Sequence, residues 1–181
     1  MHFLNFLHLT RRRAQVIIMF PAAFMVLILL ATLSLDGTMM QQTQRDLETI
    51  ATHAARAGAQ QVDWGAYQTN CNTYLTANPT ANVLDCNSFL VLDTGAARNA
   101  ATTSVTEWLN QLSAQSINFP GFAPKISNQI DIVFSSGGKA ITVTVRRCYE
   151  PFLFHGIFGS PDCPNAVLVV GHYTASPLAG L

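Results

Sequence analysis

Charge is scarce in this 181-residue chain: charged side chains make up 11% of it, against about a quarter in an ordinary soluble domain. Ten Lys and Arg balance ten Asp and Glu, so the formal net charge is zero. Without a basic surplus the chain does not read as a nucleic-acid binder. Scarce charge beside 49% hydrophobic residues is also the reverse of a disordered composition. Enzyme signatures are missing as well: there is no G-x-S-x-G, no P-loop, no G-x-G-x-x-G and no H-E-x-x-H. His2, His8, His53, His155 and His172 are scattered, and no spacing predicts that they converge. Asp131 alternates with Ile130 and Ile132, which points it to water from a strand. No catalytic, cofactor-binding or metal-binding residue is predicted, and no small-molecule substrate.

What is present begins with one apolar run. No charge falls between Arg13 and Asp36, and Ala14 to Leu35 is a stretch of 22 residues. As a helix it spans about 33 Å, enough for a bilayer core of about 30 Å. Twelve of its positions are Leu, Ile, Val or Phe, which together favour insertion by roughly 4 to 7 kcal/mol. Mean hydropathy of the whole chain is raised to +0.25. Pro21 falls about two turns in, a position that a spanning helix tolerates as a local kink. Arg11, Arg12 and Arg13 precede the run and Asp36 follows it, so the positive-inside rule predicts a cytoplasmic N-terminus and an exported C-terminal part. The run is longer than a signal-peptide core and no A-x-A-like site follows, so a retained anchor is expected in the inner membrane, crossing it once.

Four cysteines, Cys71, Cys86, Cys148 and Cys163, all lie beyond this run, as expected of an oxidising compartment. None is in C-x-x-C spacing, which argues against zinc. Two pairs share a separation of 15 residues, which suggests Cys71–Cys86 and Cys148–Cys163 bridges. Four cysteines nonetheless permit three connectivities.

Beyond the run, Met40, Leu47, Ile50, Ala51, Ala54 and Gly58 form one stripe at helical spacing. Gln44, Arg45, Glu48, Thr52, His53, Arg56 and Gln60 take the other faces. The two segments join into one helix over about residues 14 to 61, roughly 70 Å long, with Gly37 as a point of bending. A loop marked by Asn70, Asn72, Asn78, Pro79 and Asn82 follows. Ser88 to Asp93 reads as a buried strand. Ser104 and Glu107 form a capping box that opens a second helix, with Val105, Trp108, Leu109 and Leu112 on its apolar face and an end near Ser116. Ile130 to Phe134 and Lys139 to Arg147 flank Ser135-Ser136-Gly137-Gly138 as a hairpin, and Ala166 to Ser176 is a further strand. The expected class is α+β: a long N-terminal helix packed on a small antiparallel sheet, with one further short helix. Divided along the chain, this is a cytoplasmic 1–13, a span 14–35, a helical extension 36–61 and an extracytoplasmic domain 62–181. Phe152, Phe154, Ile157 and Phe158 crowd a Gly- and Pro-rich loop, read either as tucked onto the sheet or as an exposed contact patch for a partner subunit or the membrane.

An arginine-flanked start, a span with an early proline (VIIMFPAAFMVLILL), an acidic-glycine exit (SLDG) and a helix closing in THAARAGA resemble the TadE/TadG-like proteins of tight-adherence (Flp) pili. The residues that carry the likeness are Pro21, Asp36, Gly37, Leu47, Ala51, Ala54, Ala55, Ala57 and Gly58. The segment ITVTVRRCYEPFLFHGIFG is similar to that family's late strand and apolar turn. The chain departs from members cut by a prepilin peptidase, which carry a Gly before the cut and a Glu five residues after it. The resemblance implies a pilin-like fold and a non-catalytic minor pilin or pseudopilin-like subunit, with membrane lipid and other pilus-assembly subunits as partners and with incorporation in a surface pilus as a possible fate. The alternative from another class is a membrane-tethered ligand-binding or sensor domain.

Overall fold

A computed structural model describes residues 3–116, 129–149, 163 and 166–177, with side chains placed from 19 onward in the first helix and up to 111 in the last. The first helix, α1, runs from Phe3 to Ala59 without interruption. It therefore starts upstream of residue 14. It also continues as unbroken helix through Gly37, the expected point of bending. Inside the apolar run, the Thr32 hydroxyl is satisfied by the helix itself. Thr32 donates its hydroxyl to the carbonyls of Ile28 and Leu29 at 2.8 and 3.0 Å, which removes the cost of a bare hydroxyl in an apolar medium.

The segment after α1 differs from its expected form. Asn70 and Asn72 do not mark a loop; they lie within α2, Trp64–Ala77. Asp63 starts this helix by accepting the Ala66 amide at 2.9 Å, and Asn78 closes it. The Asn- and Thr-rich composition lowers helix propensity, which hides α2 from a pattern reading. A 3-10 helix, Val83–Phe89, follows, capped by Asn82 and Asp85. The expected strand Ser88 to Asp93 reduces to one bridge, Val62 to Leu92.

The next helix, α3, spans Thr94–Ser116. It ends where expected but begins ten residues before Ser104. Asp93 is the cap, its carboxylate accepting the Gly95 and Ala96 amides at 3.0 Å each. The Ser104 and Glu107 pair sits in the body of the helix, where a matching motif has no free amides to satisfy.

Strands β1 (Gln129–Phe134), β2 (Ile141–Tyr149) and β3 (Val167–Ala175) form an antiparallel sheet in the order β1-β2-β3. Gly137 and Gly138 turn the β1–β2 hairpin with positive φ of 79° and 67°, a conformation that side chains resist. The α+β class holds, with more helix than the single short one expected. Period-2 alternation puts Ile141, Val143 and Val145 on the buried face. Leu47, Ile50, Ala51, Ala54 and Ala55 of α1 and Ala97, Ala101 and Val105 of α3 join them in one core. Trp108, at the edge of that core, stacks on His53 with ring centroids 5.3 Å apart.

Candidate functional site

The two ends of α1 have different surroundings. From Met19 to Leu35 every side chain except Thr32 is exposed, including Phe20, Phe24, Leu27, Ile28, Leu29 and Leu30. Water does not tolerate a continuous apolar surface of this kind on a monomer. The helix is long and apolar enough to cross a membrane. From Leu47 onward the same helix is buried, following the predicted stripe at Leu47, Ile50, Ala51, Ala54 and Gly58; Met40 is the exception and stays exposed.

Three contacts fix the sheet on the helix. At the exit of the apolar run, Tyr149 at the end of β2 donates its hydroxyl to the Asp36 carboxylate, and burial together with that carboxylate pushes the phenol above its ordinary range. Next along the sheet, Arg147 shares the face of Ile141, Val143 and Val145 and is 93% removed from solvent (7% exposed). Its Nε has no hydrogen-bond partner. Burial lowers its pKa, and the charge of Asp46 on α1 opposes that fall. Third, β3 crosses the backbone of α1 at Gly171, against Leu47 and Glu48. Farther along, Gly58 of α1 faces Ile141 and the Ala97 carbonyl, where a methyl group would press on the tip of the Ile141 side chain. Helix α1 thus runs antiparallel to β2, with Asp36 at Tyr149 and Gly58 at Ile141.

Sequence reasoning missed the first three relationships. Only Arg147 left a readable signal, since it continues the 141-143-145 alternation onto the core face.

Cys71 stands opposite Cys86, and Cys148 opposite Cys163, at disulfide distance, with Cα–Cα separations of 5.3 and 5.6 Å. Arg11, Arg12 and Arg13 lie in the helical backbone of α1, before the residues whose side chains are placed. Phe152, Phe154, Ile157 and Phe158 lie outside the described residues. Asp131 is exposed on β1, as its alternation predicts. Among the described residues no three His, Cys, Asp or Glu side chains gather closely enough to hold a metal ion.

No curated protein and no solved structure matches this chain. One family model does match, and it covers α1 from the apolar run to the end of the buried stripe but not the domain that follows: residues 14–61 match the model described as "Putative Flp pilus-assembly TadE/G-like".

Proposed function

We propose that this chain is a non-catalytic, membrane-anchored subunit of a tight-adherence-type pilus assembly, of minor-pilin or pseudopilin-like kind. The observation that carries the reading is the division of α1. One unbroken helix presents a bare apolar half and then becomes the spine of a folded domain, within the residues that match a pilus-assembly family. A continuous helix of this kind links the bilayer directly to the domain. In this reading residues 1–13 are cytoplasmic, 14–35 span the inner membrane, 36–61 continue the helix outside, and 62–181 form the extracytoplasmic domain. Arg11, Arg12 and Arg13 set that orientation. Both cysteine pairs are oxidised there. Other assembly subunits contact the apolar half of α1 beside lipid, and Phe152, Phe154, Ile157 and Phe158 offer a second contact.

The test is a cysteine introduced at Ala22 or Ala31 in the full chain, cross-linked in cells that assemble pili. Adducts with partner subunits are expected. Monomer alone, in cells with intact pili, would overturn the assignment. Alkaline carbonate extraction of the same cells checks the anchor, since release into the soluble fraction contradicts it.

A further inference from the structure

Among the described residues, 64–89 form an arm that contributes no side chain to the main buried core. Helix α2 packs chiefly on the 3-10 helix that follows it. Only Cys71 and Cys86, which staple the two together, are buried within the arm. Its two ends are pinned at one place by the Val62–Leu92 bridge. There the Asp63 amide donates to the Val91 carbonyl and the Asp93 amide to that of Gln61, at 3.0 and 2.9 Å. The arm leaves the domain at the end of α1 far from Asp36, about 35 Å along the helix axis. Among the described residues the arm packs chiefly on itself, which leaves its surface open to a partner outside the domain.

Its surface chemistry is narrow. From Trp64 to Leu84 no side chain is charged or titrates as histidine. The flanking carboxylates are engaged as caps, Asp63 on the Ala66 amide and Asp85 on that of Asn82, both at 2.9 Å. Trp64 is 58% exposed. Tyr67 packs perpendicular to it, with centroids 5.7 Å apart and planes at 89°, which steadies the indole. One turn on, the amide of Gln68 is exposed, and those of Asn70 and Asn72 are exposed farther along the helix, each able to donate and accept.

We propose that this arm is a recognition surface for a neutral polysaccharide, with Trp64 as its stacking platform. A pyranose ring offers an apolar C–H face that stacks on an indole, and hydroxyls that pair with amides without any ion. A surface free of charge is the complement of an uncharged ligand. A protein partner would use the same exposed aromatic, and the self-association readout separates that case. On the membrane-anchored reading, lipid lies at the Asp36 end of α1, about 35 Å along the helix from the arm. The proposal does not depend on whether the subunit enters a fibre.

The test uses the full chain in detergent micelles, passed over cellulose, chitin and cross-linked dextran at about 0.15 M and about 1 M salt. Retention on at least one of the three, insensitive to salt, is expected. Trp64→Ala should cut that retention about tenfold or more, while Trp108→Ala, in the ring stacked on His53, should leave it in place. Peptide mapping of the Cys71–Cys86 pair verifies that the arm is formed in each variant. Passage through all three matrices would overturn the proposal, as would equal retention of the Trp64→Ala protein. So would a finding that Trp64→Ala abolishes self-association of the chain instead, which would assign the arm to a second copy.

Discussion

Gly171 of β3 lies against the main chain of Leu47 in α1, so close that a methyl group there would overlap the Leu47 carbonyl and the Glu48 amide. Glycine is required by space and not by a turn.

Replacing that glycine forces a backbone apart, because neither obstructing atom belongs to a side chain that can swing away. Gly171→Ala should destabilise the domain by about 3 kcal/mol, at the upper end of overpacking costs. Denaturant unfolding of the protein in micelles measures it. A loss below about 1 kcal/mol would mean that the crossing is looser than described.

Tyr149 and Asp36 make stability depend on alkaline pH. Burial first, then the charge and hydrogen bond of Asp36, raise the phenol's pKa above its ordinary value near 10. The folded state therefore favours the protonated phenol. That contribution is complete below the unfolded value and is lost as pH rises through the folded one. Tyr149→Phe should cost about 1 kcal/mol near neutrality and should abolish the loss above about pH 10. A difference between the two proteins that stays constant into the alkaline range would contradict the contact.

Arg147 keeps a charge inside the core with one nitrogen unpartnered and with Asp46 acting at a distance. Desolvation of such a group costs several kcal/mol, and an apolar residue of similar volume is often neutral or better. Arg147→Met should leave stability within about 1 kcal/mol or raise it, whereas Arg147→Ala should lower it by about 2 kcal/mol or more through the cavity. Thermal unfolding of the two variants side by side decides this. Equal, large losses in both would mean that the charge itself is needed.

The two cysteine pairs have separate tasks. Cys71–Cys86 staples the arm, and Cys148–Cys163 closes the connection between β2 and β3 on the sheet face away from α1. Replacing both residues of the first pair by Ala should open residues 64–89 to protease while the core unfolds nearly as before. Replacing both of the second should lower global stability by about 3 kcal/mol, the chain-entropy value for a loop of this size. Non-reducing intact mass, lower by two hydrogens per bridge, checks that each pair is oxidised.

Much of this was legible in the amino-acid order. Hydropathy marked the apolar run, because crossing a bilayer needs only length and the absence of charge. Helical periodicity marked Leu47, Ile50, Ala51, Ala54 and Gly58 as the buried stripe, and period-2 alternation placed Ile141, Val143 and Val145 inward with the hairpin glycines at its turn. These are local patterns, each written within one element. Tertiary structure decided the rest. Helix α2 carries a weak helical composition and is held by a cap at Asp63 and a staple between distant cysteines. Asp93, not Ser104, starts α3, since a cap is whichever side chain meets the free amides of the first turn. The pairing of Tyr149 with Asp36, the burial of Arg147 and the empty space demanded at Gly171 all join residues more than a hundred positions apart. Such contacts depend on how a helix lies across a sheet, and spacing along the chain carries no record of that angle.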